Sequence, residues 1–316
     1  MTSTPMSFTL TPRGPFSLAA SVRFLEGFTP ARYAGGGPAV LRLAFPLDGR
    51  WTPVGLRVRQ DADGVVHPQV HSPGDPPDRD AVRAQLRRIL SLDVDGSGFA
   101  EVGERDPVVG GLQGRYPGLR PVTFWSPYEA ACWAVISHRI RITQAATVKA
   151  RLAERLGTPV ELPDGPVIAF PGPADLLRGV DTLITMGGLA GRKPEWLCGL
   201  AAAALDGRLD GARLRALPAS EALRELSTLP GIGPFSAELI LLRGAGAPDV
   251  APRHEQRLRQ AVRDAYRLDE EVDDDTLTRI TDGWRPYRTW VSLLLRTWRE
   301  DETGELSGRR GRRPAV

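Results

Sequence analysis

Cysteine is scarce in this sequence of 316 residues, which contains only Cys132 and Cys198. Two cysteines without a paired spacing argue against a disulfide framework and against a cysteine-ligated zinc or iron–sulfur site. Such sparing use of cysteine fits a reducing cytoplasm. The sequence also lacks an apolar run of the roughly 18 residues that a membrane span needs, so we expect no membrane association.

Lysine is equally scarce, since Lys149 and Lys193 are the only two and arginine carries nearly all the positive charge. The net charge is +3, and the four arginines near the C-terminus account for more than that, which leaves the rest of the chain near −1. This balance excludes a uniformly basic nucleic-acid binder, so any such binding must rest on local patches. The arginine-rich end, residues 303–316, is predicted to be a disordered basic tail.

Two stretches of different composition follow one another, so we predict two domains. Residues 1–80 contain three strand-like segments, PAVLRLAFPL, PVGLRVRQ and GVVHPQV, with one helix, and they end in the proline-rich SPGDPPDRD. Residues 81–302 are predicted to be helical, beginning with DAVRAQLRRILSL, and Ser126 and Glu129 form a capping-box pattern. Further helices are predicted at 173–179, 192–206, 219–228, 235–243, 255–267, 273–283 and 286–300. The expected fold class is mainly α with a small N-terminal α+β domain.

The segment LPGIGPFSAELILLRG, residues 229–244, predicts a sharp turn between two helices. Gly231 and Gly233 permit positive φ and a close backbone approach, while Ile232 would anchor the turn in the core. Such a turn exposes backbone N–H groups at the start of the next helix, a suitable place for a phosphate. A simple corner between two helices would explain the same residues.

Several segments between residues 85 and 300 carry a family resemblance: GLRPVTFWSPYEAACWAVISHRIRITQAATVKARL, GLAGRKPEWLCGLAAAALDGRL, LSTLPGIGPFSAELILLRGAGAPDV and WRPYRTWVSLLLRTWRE. Together they resemble the helix-hairpin-helix DNA glycosylase superfamily, specifically the AlkA-type 3-methyladenine DNA glycosylases. In this family the first of these segments is a long helix that enters the DNA-binding face. The resemblance implies an enzyme that flips a damaged base out of duplex DNA and hydrolyses its N-glycosidic bond.

The resemblance also implies how the DNA backbone is held. The hairpin would contact phosphate through the main chain, and its carbonyls can hold a cation such as Na⁺ or K⁺. No metal ligated by side chains, no iron–sulfur cluster and no required cofactor is expected. The implied hairpin residues are Leu229, Pro230, Gly231, Ile232, Gly233, Pro234 and Ser236.

Glu255 stands where the family has an aspartate at a fixed distance after the hairpin. A carboxylate there would stabilise the positive charge that develops on the sugar and would orient the attacking water. The side chain is one methylene longer, and a displacement of about an ångström can cost about 100-fold in rate. The alternative is a solvated glutamate in the first turn of a helix. His254 could assist as a base, although a surface histidine is the plainer interpretation.

The predicted base pocket departs from the family pattern, which is rich in aromatic side chains. An arginine at 296 would repel a cationic base, so a neutral lesion becomes a reasonable substrate. Phe235 occupies the position where bifunctional relatives carry a lysine, so no lyase activity is expected. His138 and Arg139 match the place where the family inserts a side chain into the base stack, and a basic solvated helix face is the alternative. The implied pocket residues are Phe235, Leu239, Gln256, Arg296 and Trp298.

The leading hypothesis is therefore a monofunctional DNA glycosylase of base-excision repair, using Glu255 as the catalytic carboxylate. We expect a monomer that acts on double-stranded DNA in the cytoplasm, at the nucleoid. One alternative is a protein of the same fold that binds lesions or DNA structures without cutting them. Another is a glycosylase for a neutral deaminated or oxidised base.

Overall fold

A computed structural model describes residues 6–31, 33, 37 and 40–304. The predicted basic tail, apart from its first two residues, lies outside the described residues. Within the described part of the chain, no helix has the length and apolar character that crossing a membrane requires. The architecture of the described residues is mainly helical with a four-stranded and a two-stranded sheet, which confirms the fold class expected from the sequence.

The N-terminal region is built on a four-stranded antiparallel sheet. The predicted strands are confirmed, because apolar residues such as Leu56 and Val58 alternate along them and fill the core. Two helices, α1 (Leu18–Gly27) and α2 (Arg79–Ile89), add apolar side chains to the same core. The strands are β1 (Met6–Ser7), β2 (Leu41–Pro46), β3 (Pro53–Gln60) and β4 (Val66–His71), and their order in the sheet is β1-β4-β3-β2. The domain boundary near residue 80 stays a prediction.

The rest of the described chain is helical apart from one short hairpin. This hairpin, β5 (Thr158–Val160) and β6 (Val167–Ala169), was not predicted and packs against Ala44 of β2. The helices are α3 (Phe99–Arg105), α4 (Pro107–Arg115), α5 (Pro127–Ser137), α6 (Ile142–Leu156), α7 (Pro173–Arg178), α8 (Val180–Thr185), α9 (Lys193–Leu205), α10 (Gly211–Ala216), α11 (Ala219–Leu226), α12 (Pro234–Leu239), α13 (Gln256–Tyr266), α14 (Asp274–Asp282) and α15 (Arg288–Thr303).

No individual helix was predicted within residues 93–122, and the expected long helix within 118–152 needs correction. The glycine- and proline-rich stretch 93–122 contains α3 and α4, because Gly103 and Gly110 let the two backbones approach closely; a Cβ on Gly103 would lie 2.9 Å from the Cα of Gly110. The long helix that the resemblance implied within 118–152 is interrupted between α5 and α6. The interruption is a turn in which Arg139 has a positive φ of 55°.

The start of α5 is capped as predicted, but only in part. The Ser126 hydroxyl accepts the N–H of Glu129 at 2.9 Å. The Glu129 carboxylate does not return to Ser126 and instead pairs with the Lys149 ammonium at 2.6 Å. Both side chains of this pair are largely buried, so the carboxylate gains more from a cation than from one more backbone N–H.

Buried arginines join the N-terminal region to the helices that carry the candidate site. The Arg88 guanidinium, on α2, donates to the Gly244 carbonyl and pairs with Asp48 at 2.6 Å. The Arg120 guanidinium donates to the carbonyl of Pro15 at 2.9 Å and lies 5.1 Å from the Trp290 ring on α15. Burial lowers the pKa of Arg120 to about 10.

Candidate active site

The glycine-marked turn joins α11 to α12, as the sequence predicts. Gly231 has a φ of +75°, and a Cβ there would lie 2.7 Å from the indole ring of Trp196 on α9. Gly233 differs from the expectation, because its backbone is extended with a φ of −97° and its Cβ would enter open space. Ile232 is buried in the main helical core and anchors the turn, as predicted.

The outer surface of the turn is formed by Gly233, Pro234 and Phe235, all of which are exposed. Leu229 is buried, Pro230 packs against Gly199 of α9, and the Ser236 side chain is buried as well. A phosphate contact by the Ser236 hydroxyl would therefore need a different conformation, whereas the main chain of the turn is accessible. The phosphate-binding role of this hairpin stays a prediction.

Glu255 lies at the N-cap of α13, immediately before Gln256. Its Oε1 is 2.5 Å from Nε of Arg296 on α15, and the two side chains are 26% and 18% exposed. Glu255 is therefore half-buried and ion-paired rather than fully solvated, and its catalytic role stays a prediction. The carboxylate is held partly out of water by a guanidinium, which makes a directed, charge-assisted contact.

A second arginine, Arg243, lies close enough to interact electrostatically with both Glu255 and Arg296. Burial lowers its pKa to about 10; the charge of Arg296 acts in the same direction, and the charge of Glu255 opposes it. The Arg243 guanidinium lies 4.8 Å from the ring of Phe28 and 5.3 Å from that of Phe24, and it donates to the Val122 carbonyl at 2.8 Å. This cluster of one carboxylate and two guanidiniums has a net charge of +1.

Arg243 was missed by sequence reasoning, although it lies in the segment LLRG next to the hairpin. It sits on a π-helical turn, Ile240–Gly244, that continues α12. Its aromatic partners come from the N-terminal region, and no local pattern connects them to the hairpin. The N-terminal region therefore contributes packing directly beneath the candidate site.

His254 is tied to the hairpin rather than free. Its Nδ1 lies 2.8 Å from Oε1 of Glu238, a buried residue of α12. The imidazole is 54% exposed, and only one ring nitrogen takes part in this contact. A role for His254 as a base stays a prediction, and Glu238 is a residue that sequence reasoning did not single out.

The five predicted pocket residues differ in their surroundings. Arg296 is the one that contacts Glu255, whereas Trp298, two positions further along α15, packs against the core cluster around α13. Two positions on a helix are about 200° apart, so these two side chains point in different directions. Phe235 is 50% exposed beside the hairpin, Leu239 packs against the main core, and Gln256 is exposed.

His138 and Arg139 lie in the turn between α5 and α6. Arg139 is exposed, while His138 is half-buried with its ring edge-on to Trp196 at 5.8 Å. Burial, together with the charges of Lys193 and Arg139, lowers the pKa of His138. The α9 residue Trp196 therefore contacts both this turn and Gly231. Lys193, also on α9, donates from Nζ to the Ile136 carbonyl at 2.9 Å.

Comparison with known proteins identifies relatives, although no protein-family model matches the chain. A DNA-3-methyladenine glycosylase of Bacillus subtilis is 23% identical over 70% of this chain and 72% of its own length. DNA-3-methyladenine glycosylase 2 of Escherichia coli is 29% identical over 62% of this chain and 68% of its own. A probable bifunctional transcriptional activator/DNA repair enzyme AlkA of Mycobacterium tuberculosis is 31% identical over 68% of this chain, and the match spans only 42% of that protein.

Solved structures share the fold. The 3-methyladenine DNA-glycosylase of Archaeoglobus fulgidus superposes with a TM-score of 0.75 at 22% identity, covering 92% of this chain and 97% of the other. The 8-oxoguanine glycosylase/lyase of Clostridium acetobutylicum, in complex with duplex DNA, gives a TM-score of 0.57 at 17% identity over 80% and 86%. The fold is that of the helix-hairpin-helix DNA glycosylases. In sequence, the chain is similar to the AlkA-type 3-methyladenine DNA glycosylases of this superfamily.

Proposed function

We propose that this protein is a monofunctional DNA glycosylase of base-excision repair, which flips an alkylated base out of duplex DNA and hydrolyses its N-glycosidic bond. The observation that carries the proposal is the placement of Glu255. This carboxylate follows the hairpin segment at the N-cap of a helix and is held partly out of water. The names of the relatives support DNA repair of alkylated bases as the setting.

The chemistry needs little beyond a positioned carboxylate. As the bond between C1′ and the base nitrogen breaks, positive charge develops on the sugar, and a carboxylate nearby stabilises that charge. The same group orients the water whose oxygen forms the new bond to C1′, and the water proton passes to solvent or to the departing base. Arg296 holds Glu255 and keeps further N–H groups that can donate to a base in the pocket.

Both lysines are committed elsewhere, which supports simple hydrolysis without strand cleavage. The Lys149 ammonium pairs with Glu129 and donates to the Pro30 carbonyl at 3.1 Å. The Lys193 ammonium donates to a backbone carbonyl, and the hairpin position of the bifunctional relatives' lysine is Phe235. Both amines are therefore held by these partners rather than free to attack C1′ of the sugar and form a Schiff base.

Duplex DNA is the proposed partner, and the main chain of residues 229–234 would bind its phosphate groups. The carbonyls of this turn are also the proposed ligands of a monovalent cation between hairpin and phosphate. Among the described residues, no group of three or more histidine, cysteine, aspartate or glutamate side chains could hold a metal ion. A cation here would therefore depend on main-chain oxygens.

The test is base release from duplexes that each carry one 3-methyladenine, 7-methylguanine, hypoxanthine or uracil. We expect the wild type to create abasic sites without cutting the strand until alkali is added. Glu255→Gln should lower the rate by about 100-fold or more, because a neutral amide cannot stabilise the cationic sugar. Release by Glu255→Gln at the wild-type rate would remove Glu255 from the mechanism.

A glycosylase for a neutral base is a second candidate, favoured by the charge of the site. The cluster of Glu255, Arg296 and Arg243 carries a net +1, which disfavours the entry of a cationic base. Release of hypoxanthine or uracil in preference to 7-methylguanine would support this candidate. Tight, salt-sensitive binding of every duplex without release of any base would instead show a protein that binds lesions without cutting them.

A further inference from the structure

Glu238 occupies an unusual place between the hairpin and the candidate catalytic carboxylate. It lies on α12, one helical turn after Pro234, and its side chain is only 5% exposed. A carboxylate is rarely buried to this degree unless its oxygens are paired. The hydrogen-bond partners of the Glu238 carboxylate therefore indicate its structural role.

Within the described chain, the Glu238 carboxylate forms its hydrogen bonds with Arg253 and His254, the two residues that precede Glu255. Oε1 accepts the backbone N–H of Arg253 at 2.9 Å, and Oε2 accepts the backbone N–H of His254 at 3.0 Å. Oε1 also contacts Nδ1 of His254 at 2.8 Å. Both oxygens thus clamp the same short piece of backbone, with charge-assisted bonds that are about twice as strong as neutral ones.

Residues 251–255 belong to neither helix nor strand, although Pro252 is buried and the Glu255 carbonyl accepts the N–H groups of Leu258 and Arg259 at 3.1 and 3.3 Å. This segment is anchored upstream where the Val250 N–H donates to the Thr289 hydroxyl at 3.2 Å. It is anchored on its other side where Arg259 donates to the Arg253 carbonyl at 2.8 Å. In addition to these two hydrogen bonds, Glu238 holds the backbone of residues 253 and 254. It thereby helps to fix the position of the Cα of Glu255, from which the side chain extends.

We propose that Glu238 is a positioning residue that couples the DNA-binding hairpin to the catalytic carboxylate. Because Glu238 and the hairpin backbone share one short helix, docking of DNA on the hairpin fixes Glu255 relative to the bound sugar. This inference rests on the proposed glycosylase function. It predicts that Glu238 governs the rate of bond cleavage and leaves the affinity for DNA unchanged.

The test compares Glu238→Ala and Glu238→Gln with Glu161→Ala as the control, which removes an exposed glutamate outside the candidate site. We expect Glu238→Ala to lower the single-turnover rate by about 100-fold, the scale of an ångström-sized misplacement. Glu238→Gln retains one accepting oxygen and should lie between alanine and wild type. Glu161→Ala should stay within about threefold of wild type.

Affinity is measured on a duplex with a tetrahydrofuran abasic-site analogue, and we expect all variants to stay within about threefold of wild type. Wild-type rates for Glu238→Ala, or a parallel loss of rate and affinity, would overturn the inference. If Glu238→Ala fails to fold in a thermal melt, Glu238→Gln carries the comparison. Absence of any base release by the wild type would instead overturn the proposed function.

A double variant tests the route of the effect. If Glu238 acts through Glu255, Glu238→Ala should cost almost nothing in a Glu255→Gln background, measured with excess enzyme over long incubations. A further loss of the full 100-fold in that background would overturn the positioning role.

Discussion

Gly231 and Trp196 approach so closely that a methyl group on the glycine would lie 2.7 Å from the indole ring. The same glycine has a φ of +75°, which an L-residue adopts only at a cost. The hairpin therefore rests directly on α9, and its shape depends on the missing side chain at 231. Gly233 has no such constraint.

Replacement by alanine should have different effects at these two glycines, on stability at 231 and on DNA binding at 233. Gly231→Ala is expected to lower the free energy of unfolding by about 2 kcal/mol or more, from backbone strain and overlap with Trp196. Gly233→Ala should change it by no more than about 0.5 kcal/mol, since its Cβ enters open space, yet it should weaken DNA binding about tenfold by obstructing the phosphate. Urea unfolding and a binding titration measure the two effects, and equal stability of both variants would contradict the assignment.

Arg296 should control selectivity for the charge of the base. Replacing it with glutamine removes one positive charge from the site, so release of cationic 7-methylguanine relative to neutral hypoxanthine should rise about tenfold. Arg296→Lys keeps the charge and serves as the control, with an expected ratio near that of wild type. A displaced Glu255 would slow the release of both bases, so the ratio of the two rates is unaffected by that general loss of activity. An unchanged ratio in the glutamine variant would show that Arg296 does not face the base.

Arg139 should affect base flipping rather than general binding. Its exposed side chain lies at the tip of the turn between α5 and α6 and can stack on bases once inserted. Arg139→Ala is expected to slow lesion release about tenfold while changing the affinity for undamaged duplex less than threefold. Arg151→Ala, at an exposed position of α6, is the control for loss of one charge. Equal effects of the two variants would indicate a merely electrostatic contribution.

Asp48 should make the protein less stable as pH rises through the mildly acidic range. Burial raises the pKa of this carboxyl to about 6 against the pull of Arg88. Between pH 4 and 6 the folded state keeps a proton that the unfolded state has lost, so the free energy of unfolding falls as pH increases. The shift corresponds to at most about 3 kcal/mol, and less because the side chain remains 19% exposed.

The measurement is urea unfolding at pH 4, 5, 6 and 7. Asp48→Asn should remove this part of the pH dependence, so its stability relative to wild type should improve steadily with pH. The exposed variant Asp63→Asn should follow the wild-type curve. Parallel curves for wild type and Asp48→Asn would contradict the raised pKa.

The sequence by itself determined the local elements and the position of the candidate carboxylate. Strands β2 to β4 follow from their composition and partial alternation, the α5 cap from Ser126, and the turn at 231 from glycine chemistry. Each depends on residues that are neighbours along the chain, whose preferences act within one strand or one helical turn. Helices α3 and α4, in the glycine- and proline-rich stretch 93–122, were not predicted individually, because Gly103 and Gly110 serve a contact between two helices that no local pattern shows.

Only the tertiary structure decided what surrounds Glu255. The pairing with Arg296, the stacking of Arg243 on Phe28 and the clamp from Glu238 join segments that no local preference connects. Such contacts form because the packing of whole helices brings distant side chains together, and burial then favours the pairing of their charges. Sequence could place an acid after the hairpin, but the fold alone fixed its direction and its charged neighbours.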